Sequence, residues 1–220
     1  MKNGNSFVRL VTWLFFSVSL LDVIGVVVQD PRLQLIFKPL IIPCLILLYF
    51  VSTKSRNSWY VAALFFSFLG DVLLLDKNNM FLYGIAAFLI TQLLYVFIIS
   101  KDLTKSDWKT KSLAALPFLI FFTALINILK DGLGDFLVPV IIYGLAISVF
   151  GFVSLLNYLL RKDQSSLILL GGAVLFILSD SMIALHKFYE ARAIYPAAIM
   201  ITYIMAQYMI FSYRIKSAEK

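Results

Sequence analysis

The sequence has very few of the residues that soluble catalytic domains rely on. Its 220 residues include one histidine, His186, and one cysteine, Cys44, and only 14% are charged. A hydrolytic zinc site usually takes three protein ligands, often histidines, and a lone cysteine excludes an intramolecular disulfide. No glycine-rich phosphate loop, Ser-His-Asp order or nucleophile elbow is present. We therefore predict neither a metal nor a cofactor.

Hydrophobic residues, by contrast, make up 61% of the chain. Soluble domains are about half apolar and a quarter charged, so this composition indicates an integral membrane protein with several spans. The net charge of +7 does not indicate nucleic-acid binding, because the cations flank apolar runs, as topology signals do. We expect the cytoplasmic membrane in a bacterium or an endomembrane in a eukaryote.

Eight apolar segments are long enough to span a bilayer, whose hydrocarbon core of about 30 Å needs about 20 helical residues. The segments cover residues 7–28, 34–52, 57–76, 79–99, 110–129, 135–159, 165–186 and 193–214. Polar loops separate them, and the turn at 76–79 is the least certain boundary. The sequence predicts an all-α polytopic bundle of eight transmembrane helices in one domain, 1–220.

The orientation follows from the distribution of the 19 Lys and Arg residues. Most of them lie on the side that holds both chain termini, including the basic loop 101–111. Cytoplasmic loops carry the excess of Lys and Arg, so both termini are predicted to be cytoplasmic. Lys2 and Arg9 precede an apolar run as in a signal peptide, but no cleavage site follows. We expect a retained first span.

Two aspartates lie well inside apolar segments, each directly after a small residue: Gly70-Asp71 and Ser179-Asp180. A carboxylate in hydrocarbon costs about 2.5–3.5 kcal/mol on insertion scales, so both suggest a function. Counted from the span ends, both lie roughly 7–10 Å below the non-cytoplasmic surface.

Other polar residues fall in the same layer, namely Asp22, Lys38, Asn79 and Tyr83. Polar residues collected at one depth predict a shared, partly hydrated cavity that opens to the non-cytoplasmic side.

Two carboxyl groups brought close in a low-dielectric pocket cannot both ionise cheaply. One can act as a general acid while the other orients water. Other readings remain open. Lys38 could pair with Asp71 or Asp180 only to fix helix register, and the aspartates could hold magnesium together with a phosphate. They could instead carry protons or cations in a transporter, or belong to a non-catalytic lipid-binding scaffold.

Aromatic residues near the span ends are expected to be interfacial anchors. These are Tyr49, Trp59, Tyr60, Trp108, Tyr195 and Tyr213.

An ordered set of short motifs extends over nearly the whole chain. It comprises Phe37-Lys38-Pro39, Ser67-Phe68-Leu69-Gly70-Asp71, Tyr83-Gly84 with Phe88 and Tyr95, Phe176-Ile177-Leu178-Ser179-Asp180, and Tyr203 with Gln207. This set resembles the YhhN-like family of multi-pass membrane proteins, whose animal members are lysoplasmalogenases. One departure is visible, because the fourth span often carries a histidine in the family where this chain has Gln92.

The resemblance implies hydrolysis of the vinyl ether bond of lysoplasmalogens to a fatty aldehyde and a glycerophospho-alcohol. Asp71 and Asp180 would be the acid and the water-orienting base, with the assignment open. Lys38 would tune their protonation or meet the lipid phosphate, and Tyr203 and Gln207 would line the chain-binding pocket. Asp22, Tyr83 and Gln92 complete the expected substrate-binding residues. The implied partners are a lysophospholipid and the bilayer, and the oligomeric state stays open.

Overall fold

The computed structural model describes residues 2–76 and 79–218, which form helices and connecting turns without any strand. Lys77 and Asn78, in the predicted turn 76–79, lie outside the described residues. The helices are α1 Lys2–Val27, α2 Pro31–Ser52, α3 Ser58–Leu73, α4 Phe81–Lys101, α5 Trp108–Leu129, α6 Leu137–Arg161, α7 Gln164–Phe188 and α8 Tyr195–Ala218. The predicted all-α class is confirmed.

Side-chain caps explain why four helices begin where they do. Asp30, Asn57, Asp107 and Asp163 precede α2, α3, α5 and α7, and each side chain accepts a hydrogen bond from a backbone N–H of the first turn. Such caps satisfy donors that the helix itself leaves unpaired. The polar residues between the apolar segments therefore cap the following helices as well as forming loops.

Within the described residues, six helical segments are long and apolar enough to cross a membrane. They are Ser6–Val27, Pro31–Ser52, Phe81–Lys101, Trp108–Gly132, Gly134–Arg161 and Gln164–Phe188. This supports a multi-pass integral membrane protein.

The other two predicted spans differ from these six. Helix α3 has 16 residues, which is about 24 Å, and its predicted segment 57–76 ends instead in a turn after Leu73. There the N–H of Leu74 bonds to the carbonyl of Gly70. Helix α8 has 24 residues, but it is not among the segments that are apolar enough to cross a membrane.

The chain divides into two compact units. The first contains the described residues up to Thr91 and those from Arg214 on, and the second extends from Gln92 to Tyr213. In the first unit α1 packs on α2 and α2 packs on α3. In the second, α6 packs on both α5 and α7. The prediction of one domain over 1–220 stays a prediction.

The expectation of aromatic anchors stays a prediction for the tryptophans and is wrong for three tyrosines. Trp59 and Trp108 are exposed. Tyr49, Tyr60 and Tyr213 are buried, because each packs against a helix of its own unit instead of facing outward. For example, the rings of Tyr49 and Tyr60 meet edge to face, with centroids 4.8 Å apart.

Candidate functional site

Asp71 lies in the last turn of α3 and is 2% exposed. The residue before it, Gly70, faces the ring of Phe88 on α4 so closely that a Cβ would come within 2.6 Å of the ring. Only glycine allows this approach without a shift of the ring. The small residue that precedes the aspartate in the sequence therefore lets α3 and α4 pack tightly beside the carboxylate.

Hydrogen bonds strengthen the same pair of helices one turn away. The Thr91 hydroxyl of α4 donates to the carbonyl oxygen of Ala63 on α3, at 3.1 Å. The Ser67 hydroxyl donates to Thr91 Oγ1 at 3.3 Å. Both hydroxyls are buried, and interhelical bonds of this kind hold membrane helices together. They fix the segment of α3 that carries Asp71.

Asp22 is the second buried carboxylate of the first unit, and its side chain on α1 is fully buried. Neither carboxylate oxygen has a hydrogen-bond partner among the described residues. Lys38 of α2 lies close enough to interact with it electrostatically. The structure thus brings together two of the predicted binding residues. Tyr83, at the start of α4, is 63% exposed.

Asp180 lies in the second unit on α7, where two neighbouring helices hold its segment. The Ser179 hydroxyl donates to the carbonyl oxygen of Ile199 on α8, at 3.1 Å. The Tyr143 hydroxyl of α6 donates to Asp180 Oδ2. The carboxylate is partly exposed, so it is held in place by a phenol while remaining accessible.

Gln92 lies on α4 and its side chain is fully buried. Its amide lies beside the Tyr143 hydroxyl, but neither Oε1 nor Nε2 reaches hydrogen-bond geometry with any partner in the described part of the chain. A buried polar group without a partner costs about 1–3 kcal/mol. Gln92 is therefore a buried amide whose nearest polar neighbour is the Tyr143 hydroxyl and whose own hydrogen bonds are not of ordinary geometry.

The predicted chain-binding residues belong to a buried network. The Tyr95 hydroxyl donates to Gln207 Oε1 at 2.8 Å, and Gln207 Nε2 donates to the Tyr203 hydroxyl at 3.4 Å. The ring of Phe176 packs edge to face on Tyr203, with centroids 5.7 Å apart. Phe150 packs on Phe176 and Tyr95. Gln207 therefore joins α4 to α8 through bonds within the protein.

The predicted site residues divide between the two units. Asp22, Lys38, Asp71 and Tyr83 belong to the first, and Asp180, Gln92, Tyr203 and Gln207 belong to the second. The pairing of Asp71 with Asp180 stays a prediction. Among the described residues, no three His, Cys, Asp or Glu side chains come together as a metal site would require.

Sequence reasoning missed Tyr143, although a signal was available. Tyr143 is the seventh residue of α6, and Asp180 is the ninth from the end of α7. Because consecutive spans run antiparallel, residues near the start of one helix and the end of the next lie at similar depths. Applying the depth count to every tyrosine would have placed Tyr143 at the depth of Asp180, though not beside it.

The described residues are helical, six of their helices are long and apolar enough to cross a bilayer, and carboxylates are buried inside helices, so this is a multi-pass integral membrane protein. Residues 33–213 match the model of the YhhN family. The chain belongs to this family, which confirms the predicted resemblance. Searches of curated proteins and of solved structures gave no match.

Proposed function

We propose that this protein is a membrane hydrolase that cleaves the vinyl ether bond of lysoplasmalogens by aspartate acid–base catalysis. The products are a fatty aldehyde and a glycerophospho-alcohol. The observation that carries the proposal is a buried carboxylate, Asp71, within an apolar helix of a YhhN family chain. The second acidic residue, Asp180, is held by a hydrogen bond from Tyr143.

The first step of the proposed reaction is a proton transfer to carbon. One aspartic acid donates its proton to the alkene carbon that is not bonded to oxygen, and the electron pair of the C=C bond forms the new C–H bond. An oxocarbenium ion results, with its positive charge shared between carbon and the ether oxygen. A carboxylate close to this cation stabilises it electrostatically.

Water then completes the hydrolysis. The second aspartate accepts a proton from water as the water oxygen bonds to the cationic carbon, which gives a hemiacetal. The hemiacetal hydroxyl returns a proton to the first carboxylate, and the C–O bond to the glycerol oxygen breaks. That oxygen takes the proton held by the second carboxyl group. Both aspartates regain their starting forms, so the cycle needs neither a metal nor a covalent intermediate.

The other predicted residues would bind the lysolipid. Lys38 would meet the phosphate or tune the acidic residues, and Tyr203 and Gln207 would shape the pocket for the hydrocarbon chain. Asp22 and Tyr83 would complete the contacts with the lipid, and Gln92, the third residue expected in this set, would contact the water that attacks it. For Gln207 the proposed role is indirect, because its amide is bonded to Tyr95 and Tyr203.

The test uses purified protein in detergent, with 1-alkenyl, 1-alkyl and 1-acyl lysophospholipids offered separately and aldehyde release measured. Wild type should release aldehyde only from the alkenyl lipid. Asp71→Asn and Asp180→Asn should each lower kcat by about 100-fold to 10,000-fold, as expected for loss of an acid or a base.

Folded Asp71→Asn and Asp180→Asn proteins that keep full activity would contradict the mechanism. The alternative function is a proton- or cation-coupled transporter. Substrate-dependent ion flux in proteoliposomes, without aldehyde release by the wild type, would favour it.

A further inference from the structure

The amide of Gln92 is the feature of the second unit that points most directly to a small bound molecule. A primary amide offers two N–H donors and two acceptor lone pairs, and buried polar groups nearly always have partners. Gln92 is fully buried, and both of its polar atoms lack a hydrogen bond among the described residues. A buried water molecule commonly forms hydrogen bonds with such groups.

The neighbour of this amide is the hydroxyl of Tyr143. A phenol has one O–H, and Tyr143 donates it to Asp180 Oδ2. The phenolic oxygen still has lone pairs, which can accept from a further donor. Tyr143 therefore links the available amide of Gln92 to the carboxylate of Asp180, and a water molecule in this place would find both donors and acceptors.

Aromatic side chains line one side of this polar group. Gln92 is followed by Tyr95 on α4 and Tyr143 by Phe150 on α6, while Phe176 precedes Asp180 on α7. These ring positions are three to seven residues away along their helices, or about 5–10 Å. The rings of Tyr95, Phe150 and Phe176 contact one another.

Along all three helices, the aromatic rings lie on the same side of the polar group formed by Gln92, Tyr143 and Asp180. The paired contacts Gln92 with Tyr143 and Tyr95 with Phe150 make α4 and α6 parallel in this unit. The pairs Tyr143 with Asp180 and Phe150 with Phe176 make α6 and α7 antiparallel. The polar group is thus backed by an aromatic layer.

We propose that Gln92 and Tyr143 hold the hydrolytic water next to Asp180, which makes Asp180 the base and Asp71 the acid. This inference rests on the proposed function. The water donates one proton to Asp180 while its oxygen bonds to the oxocarbenium carbon. Tyr143 keeps the carboxylate in position through its hydrogen bond, and the Gln92 amide orients the water. Tyr143 and Gln92 are positioning residues, and neither exchanges a proton with the substrate.

The experiment measures kcat and KM for aldehyde release from a 1-alkenyl lysophospholipid by purified Tyr143→Phe, Gln92→Leu and Gln92→His proteins. Tyr143→Phe and Gln92→Leu should lower kcat by about 10-fold to 100-fold, less than loss of the base itself. KM should change less than about 3-fold, because the water is needed after the lipid has bound. Gln92→His should stay within about 5-fold of wild type, since imidazole also offers an N–H donor and a nitrogen acceptor.

Tyr158→Phe is the matched control, because Tyr158 lies on the same helix 15 residues further along, about 22 Å away. It should behave as wild type. Helical circular dichroism and the thermal midpoint show whether each variant is folded. If Gln92→Leu does not fold, the conservative Tyr143→Phe and Gln92→His variants can still be compared with wild type in kcat.

Three results would overturn the inference. In the first, Tyr143→Phe and Gln92→Leu keep the wild-type kcat while Asp180→Asn is inactive, which leaves the proposed function intact. In the second, KM rises with kcat unchanged, which would make these residues substrate contacts. In the third, the wild type releases no aldehyde, and the proposed function fails together with the inference.

Discussion

At the scale of single residues, the least expected feature is the buried carboxylate of Asp22. It has no hydrogen bond to a described residue, and the nearby charge of Lys38 offsets part of the cost of its burial. Removing one of two interacting charges is more harmful than removing both when the remaining charge is buried and left uncompensated. Asp22 and Lys38 should therefore be coupled in their effect on stability.

Lys38→Met should lower the free energy of unfolding by about 2 kcal/mol, less than the 3–5 kcal/mol of fully buried pairs, since Lys38 is only half-buried. The double variant Asp22→Asn/Lys38→Met should recover at least half of that loss. The measurement is unfolding in mixed micelles by titration with a denaturing detergent. Lys54→Met, at an exposed position, should change stability by less than about 0.5 kcal/mol.

A double variant no more stable than Lys38→Met would show that the two charges are not coupled.

At the scale of helices, the residues that precede the two aspartates have the same role in their separate units. Gly70 lets α3 approach Phe88 of α4, and Ser179 bonds α7 to the Ile199 carbonyl of α8. In each case a small residue lets the neighbouring helix come close to the carboxylate. Small residues at helix contacts are the usual device in membranes, where lipid is as apolar as the protein surface.

Thr91→Val should weaken the contact between α3 and α4 by about 0.6–1.7 kcal/mol, which are the average and the maximum for interhelical hydrogen bonds in a membrane protein. The shape of the side chain is kept, while the bond to the Ala63 carbonyl is lost. Thr123→Val is the matched control, because the exposed Thr123 hydroxyl bonds only to carbonyls of its own helix. The same micelle titration measures both variants.

Equal losses for Thr91→Val and Thr123→Val would mean that the bond between α3 and α4 contributes nothing of its own.

At the scale of the whole molecule, the distribution of charge predicts how the chain is inserted. The basic loop 101–111 and both termini are expected on the cytoplasmic side. The connection between α5 and α6, which includes Asp131, is expected on the opposite side. These two loops are exposed at Lys105 and Asp131, so they are suitable places for a chemical label.

Lys105→Cys and Asp131→Cys, each in a Cys44→Ser background, should differ in labelling by a membrane-impermeant maleimide. Cys44 is the chain's one cysteine, so its replacement removes the background signal. Intact cells should label the Asp131→Cys protein at once and the Lys105→Cys protein only after permeabilisation. The reverse pattern, or labelling of both in intact cells, would contradict the predicted orientation.

The sequence alone was sufficient for the helices, for most of their ends and for the family. Long apolar runs report helices of membrane length because that signal is local. Caps such as Asp30 and Asp163 act on the helix that directly follows them. The family was recognisable because its motifs, such as Leu69-Gly70-Asp71, are contiguous in the chain.

Only the tertiary structure decided which polar side chains meet and which tyrosines are buried. Tyr143 and Asp180 are 37 residues apart, and Tyr95 and Gln207 are 112 apart. In a membrane helix the faces toward lipid and toward protein are both apolar, so hydropathy does not reveal how the helix is rotated. The rotation of the helix determines whether a tyrosine such as Tyr49 faces outward or packs inside, and that rotation is set by contacts with other helices, such as the contact with Tyr60.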